Sequence, residues 1–329
     1  MPPPAATLAL IALAVAISAC GSDSSPLDPA AYVVGLPGAG QEIDFDDIVY
    51  SRQLERVIVP ARRSGLYLVD PRSGAAKRLG RTGDADSADE GDGLIFVVNR
   101  DQKRITALDP GSGTTVFTLG TGGSPDYVRY VAPTHELWVT EPGASPSGIE
   151  VFALRDPPSV TPTRVGFVPV PDGPEALTIA TRSDRAYTHA GADLVAIAIG
   201  RHAVTERWPT GCDGTHGFPQ IDERARLALA SCASDGRVSL LRSDTGEQLG
   251  RWAVDGGESL PAFSAKTGHF YARGDPGTRL ATLAATKHGL RPVTDVAVPR
   301  AGHCLTADDQ GHYWTCDAAG GRLLRFDDP

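Results

Sequence analysis

Val69-Asp70-Pro71-Arg72-Ser73-Gly74 returns as Leu108-Asp109-Pro110-Gly111-Ser112-Gly113, then more loosely as Leu241-Arg242-Ser243-Asp244-Thr245-Gly246. A last copy, Arg325-Phe326-Asp327-Asp328-Pro329, ends the sequence. Each copy follows a short apolar run, and all but the last precede another, so each reads as a strand–turn–strand corner. The offsets of 39, 133 and 84 residues are one, three and two units of roughly 40–45 residues, the period of a β-propeller. Strands such as 115–119 and 251–254 follow the earlier corners, and nothing follows Asp327. Residues 32–40, Tyr-Val-Val-Gly-Leu-Pro-Gly-Ala-Gly, share the strand-then-glycine form of 116–123. Residues 31–36 are therefore expected to pair with 321–326 as the outermost strand of the last blade and close the ring.

Seven units are legible, most clearly in their second strands at 56–59, 94–98, 136–139, 185–188, 226–230, 269–272 and 312–315. Third strands follow at 65–69, 104–108, 149–154, 194–199, 238–241 and 322–326. These segments are rich in Val, Leu, Ile and aromatics, and 37 Gly and 26 Pro punctuate the chain, as an all-β protein with many turns requires. No stretch shows sustained helical periodicity with caps. Unit two is irregular: the acidic run 82–93 stands where its first strand belongs, and is expected to be a solvated loop rather than a calcium site, since its spacing is not that of an EF-hand.

The chain has 329 residues, 22% of them charged, and a net charge of −9. An acidic balance without Lys or Arg clusters argues against a nucleic-acid binder. At the N-terminus the apolar core 8–16 is followed by Ile17-Ser18-Ala19-Cys20. This resembles the lipobox of bacterial lipoproteins, although the preceding Met1-Pro2-Pro3-Pro4 has no basic residue. The resemblance implies a signal peptide over 1–19 and lipidation of Cys20; residues 20–30, rich in Ser, Asp and Pro, then read as a flexible tether, and the repeats as a seven-bladed propeller over 31–329. Gly21 follows the cysteine, which by the same likeness implies the outer membrane in a host with two membranes. The apolar stretch is shorter than the ~20 residues of a bilayer-spanning helix.

Four cysteines remain, and an even number in an exported chain points to disulfides. Cys304 and Cys316 flank the turn 308–311 symmetrically, which places them opposite one another in an antiparallel hairpin. Cys212 and Cys232 are expected to pair by the equivalent arrangement. Without a CxxC pair, a zinc–thiolate site is disfavoured.

Gly173-Pro174-Glu175-Ala176-Leu177-Thr178-Ile179-Ala180 with Asp184-Arg185-Ala186-Tyr187-Thr188, and Gly123-Ser124-Pro125-Asp126 with Glu136-Leu137-Trp138-Val139-Thr140, resemble the YVTN-type propeller repeats of bacterial exported proteins. The likeness runs along nearly all of the mature chain and implies a seven-bladed ring around a central channel. Binding proteins, surface proteins and a few enzymes share that fold, so function must be argued from sites.

Aligning the units puts Asp46, Asp126, Glu175, His216, Ser259 and His303 at the start of the innermost strands, facing the channel; unit four adds Asp172 and unit five Asp213. Carboxylates and imidazoles converging on one axis suit a divalent cation, while a merely wet channel would be lined by the same residue types. No serine lies in a GxSxG context, and Ser231 beside Cys232 has no legible histidine partner. Asn99 does not fall clearly in the channel, as an amide ligand of a lactonase-like metal site would. His216 or His303 could serve as an axial ligand of a redox cofactor, but no CxxCH marks covalent haem. The sequence therefore favours a monomeric, non-catalytic binding or scaffolding module of the cell envelope, with an envelope protein or a small ligand as partner. A metal-dependent hydrolase or a redox enzyme using the channel is the alternative.

Overall fold

The computed structural model describes Met1 and residues 27–155 and 162–329. Seven four-stranded antiparallel sheets form the ring of an all-β, seven-bladed propeller. The innermost strands are Val49–Ser51, Ser87–Gly91, Val128–Val131, Thr178–Ala180, Gln220–Asp222, Glu258–Phe263 and Leu305–Ala307, and they define blades one to seven in order. The second strands are buried on both faces because neighbouring blades cover them; Leu94–Asn99 is buried at all six positions. The outermost strands alternate or stay exposed, as at Thr115–Gly120 and Thr163–Pro169.

Among the described residues seven apolar clusters lie one at each blade–blade interface. Burial of a Val, Leu, Ile or Phe side chain stabilises by about 1.5–3 kcal/mol, so the ring is held by its interfaces rather than by one central core. Blades two to six each carry a register shift in their outermost pair. Such bulges turn free sheet edges away from each other and discourage edge-to-edge pairing.

The repeated corner has a local cause. Asp70 Oδ1 accepts the amides of Arg72 and Ser73 at 3.0 and 2.9 Å, and Gly74, at φ +70°, donates its amide to the Asp70 carbonyl. Asp109, Ser112 and Gly113 repeat the arrangement. The ring closes as the sequence predicts. Tyr32–Gly35 pairs antiparallel with Arg322–Asp327, Val34 lying opposite Leu323. The closing strand also clasps the first corner: Tyr32 Oη donates to the Ser73 carbonyl at 3.0 Å, and Arg325 donates to that of Pro71 at 2.8 Å. A Cβ on Gly74 would stand 2.6 Å from the Tyr32 ring, so close approach as well as positive φ demands glycine there.

Two sequence expectations are corrected. Blade two has a regular innermost strand, Ser87–Gly91, within the run expected to be a loop. Its acidic residues are engaged rather than solvated: Asp86 takes Arg62 and the Arg100 amide, Asp89 the Tyr130 amide, and Glu90 the Ser51 hydroxyl. Partners outside the strand thus override its poor β-propensity. The described chain is also already docked within the span expected to be tether, where Leu27 packs at the interface of blades six and seven and Asp28 accepts the Ala297 amide. Cys20 and the expected signal peptide lie outside the described residues; among those described, no helix is long and apolar enough to cross a membrane.

Both expected disulfides are present, with Cα atoms 5.8 Å apart for Cys304–Cys316 and 5.3 Å for Cys212–Cys232. The first follows the hairpin register, one step beyond the pairing of Leu305 with Thr315. The second does not. The register of blade five, with Gln220 opposite Leu229, would carry Gly217 opposite Cys232. The loop instead folds back, so that Thr215 bridges Cys232 and brings Cys212 within reach.

Candidate functional site

The loops that lead into the innermost strands meet at one end of the channel, the narrow mouth. There side chains from all seven blades form a polar belt made of two bonded groups. Asp46 of blade one accepts Arg62 Nη2 at 3.0 Å, Arg100 Nη2 at 2.8 Å and Tyr127 Oη at 2.9 Å. Arg100 also reaches Asp126 at 2.5 Å. Across the axis, Glu175 Oε1 lies 3.2 Å from His216 Nδ1, and His216 Nε2 lies 2.6 Å from Glu258 Oε1. His303 Nδ1 faces Asp275 at 3.0 Å and Glu258 at 3.4 Å. The two imidazole rings are 5.4 Å apart, edge to face.

Asp46, Asp126, Glu175, His216 and His303 are thus brought to one mouth. Ser259 is not: it is fully buried, donates to the Arg237 carbonyl and accepts the Cys232 amide. The strand begins one residue earlier than the sequence suggests, and Glu258 takes the channel position. A one-residue offset in a strand turns a side chain to the other face. Asp172 and Asp213 are exposed and take no part in the belt's ion pairs. Asn99 is buried and bonds the Asp84 carbonyl and the Gln102 amide.

Sequence reasoning missed Arg62, Arg100 and Asp275. They stand where the second strands of blades one, two and six end, as Glu141, His189 and Asp317 do in blades three, four and seven. Polar residues recurring at that point of the repeat were the available signal.

The belt is crowded with negative charge. Six carboxylates, those of Asp46, Asp86, Asp126, Glu175, Glu258 and Asp275, face two guanidinium groups, Arg62 and Arg100, and two imidazoles, His216 and His303. Burial pushes the Asp126 carboxyl up to about 7, with Arg100 opposing the shift and Asp46 reinforcing it. Burial likewise raises Glu175, against the pull of His216. For both imidazoles burial works against the charged form, but carboxylates outweigh it: Glu258 and Glu175 raise His216, and Asp275, Asp46 and Glu258 raise His303. Asp275 is held low, chiefly by its hydrogen bond to His303.

Both histidine loops are fastened. Cys304 adjoins His303 and is bonded to Cys316; His216 lies within the loop closed by Cys212 and Cys232. Arg273, fully buried, donates to Thr315 Oγ1 at 2.7 Å and to the Pro299 carbonyl at 2.8 Å behind the His303 loop. Beneath the belt a cavity of about 30 Å³ is lined by Asp46, Tyr127, Phe218 and His303 among others. A plug follows. Asp47 and Arg129, both buried, form a bidentate pair at 2.8 Å, and the guanidinium lies 4.4 Å over the Phe218 ring.

On the far side of the plug the channel widens into a vestibule of about 1060 Å³ to which every blade contributes, through residues such as Tyr50, Glu90, Tyr130, Arg182, Phe263 and Lys266. The remaining histidine–carboxylate pairs are structural. His202 and the Trp138 indole share Glu136; His312 and the Trp314 indole share Asp308; His269 bonds Asp328, and His135 bonds Asp92.

No family model matches this sequence, and no curated protein matches it. Solved structures share the fold. The WD40 repeats of RRP9 superpose with a TM-score of 0.74 at 12% identity, covering 92% of this chain and 98% of that one. A chain of the mitotic checkpoint complex gives 0.73 at 13%, covering 97% and 99%. A chain of Kuenenia stuttgartiensis hydrazine synthase gives 0.69 at 12%, covering 89% and 98%. Likeness at this level of identity speaks for the seven-bladed architecture alone.

Proposed function

We propose that this chain is an exported, lipid-anchored binding module of the bacterial envelope that takes its partner in the wide vestibule. The observation that carries the reading is the vestibule itself. Its volume is at the upper end of what ligand sites use, its lining mixes aromatic and charged side chains, and the Asp47–Arg129–Phe218 plug closes its floor. It is built as a socket rather than a conduit. Two disulfides support residence in an oxidising compartment, and Cys20 supplies the anchor. That one structural neighbour comes from a protein complex agrees with a protein partner, a projecting loop or chain end being what a socket of this size admits.

A photo-reactive amino acid at Phe263 inside the vestibule, compared with one at Val165 on an exposed outer strand, tests the reading in the intact cell envelope. A discrete adduct from position 263 alone, lost when Arg182→Glu and Lys266→Glu are added, is expected. Equal adducts from both positions, or none from 263, would overturn it. In the same cells Cys20→Ser should release the protein from the membrane fraction.

A further inference from the structure

The narrow mouth has a feature that the socket does not use. His216, Glu258 and His303 each offer a ligand atom, and the three atoms lie within 4.8 Å of one another. His216 Nε2 and Glu258 Oε1 are 2.6 Å apart, yet both are buried and neither completes a hydrogen bond. We propose that these three side chains bind a divalent transition metal of the zinc class.

The donor chemistry argues for that class. Two imidazoles with one carboxylate suit zinc, cobalt or nickel, whereas calcium and magnesium take oxygen ligands. Three protein ligands with one open position is the usual composition of a non-structural zinc site. A tetrahedral ion about 2.0–2.2 Å from each donor would set ligand atoms roughly 3.3 Å apart, so Nε2 and Oε1 need only part by less than an ångström.

The surroundings argue for it independently. Metal-bound histidines characteristically give their other nitrogen to a carboxylate, which fixes the tautomer and orients the ring. His216 has that partner: its Nε2 faces Glu258, and Glu175 lies 3.2 Å from its Nδ1. His303 Nδ1 lies 3.4 Å from Glu258 Oε1 and is the ring nitrogen turned toward the other two ligands, and Asp275 stands 3.0 Å from that same atom. The excess of carboxylates over guanidinium groups in the belt supplies a field that a dication relieves. Each histidine loop is pinned by a disulfide, the rigid backing that a preorganised site needs. The second group of potential ligands, Cys212, Cys232 and Asp235, has both sulfurs committed to a disulfide and does not compete while oxidised.

The full chain, stripped with a chelator and kept free of reductant, is titrated with Co²⁺ and then with Zn²⁺. One equivalent of Co²⁺ should develop the intense visible absorption of a tetrahedral site, and one equivalent of Zn²⁺ should abolish it. The double change His216→Ala with His303→Ala should remove the signal. Glu175→Gln keeps all three ligands and should weaken binding about 10–100-fold with an unchanged circular dichroism spectrum. X-ray absorption on the zinc-loaded wild type should report nitrogen and oxygen donors with imidazole scattering, a readout that needs no variant to fold. Absence of saturable one-to-one binding by the wild type, undiminished binding by the double variant, or a sulfur-containing ligand set would overturn the proposal. None of these outcomes bears on the vestibule, so the two readings stand or fall separately.

Discussion

At the end of the channel where the innermost strands begin, side chains from all seven blades gather into two bonded groups around the axis; where the same strands finish, the side chains line an open vestibule. The narrow mouth has the Asp46–Arg62–Arg100–Tyr127 cluster and the Glu175–His216–Glu258–His303–Asp275 chain, backed by two disulfides. The vestibule has exposed groups such as Arg182 and Lys266 above a hydrogen-bonded floor. The difference teaches how a repeat can make two unlike surfaces from one set of strands. Loops that approach the axis before a strand are free to vary in length and to place charges precisely by chain folding. Turns that leave the axis are short and simply present what the hairpin carries.

The sharpest way to break this division is to remove the plug that separates the two ends. Asp47→Ala leaves the Arg129 guanidinium buried without its carboxylate and the Ser87 hydroxyl without its acceptor. Breaking a buried pair in this way should cost about 3–5 kcal/mol, read as a lower urea midpoint with an unchanged slope. A loss below about 1 kcal/mol would mean that the two ends are not structurally coupled through the axis.

A pH dependence should come next in size. His189 is fully buried, its Nδ1 donating to the Gly217 carbonyl at 2.8 Å and its Nε2 without a partner. Burial pulls it from 6.5 down to about 4. Because the folded value is depressed, protons bind the unfolded chain first. Its contribution is fully present above about pH 6.5 and is lost as pH falls toward 4, on the order of 3 kcal/mol in all. His189→Gln, which can still donate to Gly217, should flatten the stability profile across that window. An equally steep decline in the variant would assign the acid sensitivity to the carboxylates instead. The smallest effect belongs to the vestibule: Arg182→Ala should leave stability within about 0.5 kcal/mol, as fits a surface not tied into the fold. A larger loss would erase the contrast between the two ends.

The ring was legible in the sequence because its corners are local. Asp70 and Gly74 make their turn from residues four apart, and such chemistry repeats wherever the turn does. The closing strand and the Cys304–Cys316 pairing were legible for the same reason, each following from strand geometry. Most of the candidate mouth residues were legible because loops entering equivalent strands share a depth. What escaped depended on contacts between blades. Glu258 was displaced by Ser259 because Gly256 and Gly257 blur where the strand starts. The acidic strand of blade two reads as a loop until Arg62, Tyr130 and Ser51 are seen to take up its carboxylates. The fold-back that joins Cys212 to Cys232 has no expression in spacing at all.

The pairing of Val34 with Leu323 also sets an order in time. Its two strands lie almost a full chain length apart, so no local encounter can form it, and long loops of this kind close late. Six blades can assemble from neighbouring hairpins, but the seventh waits for Tyr32–Gly35 and Arg322–Asp327 to meet. Until then the strand Arg322–Asp327 keeps a bare edge and the first corner lacks its clasp. The ring therefore seals in a single late step, and every contact that the closing strand makes with the first corner is gained at once.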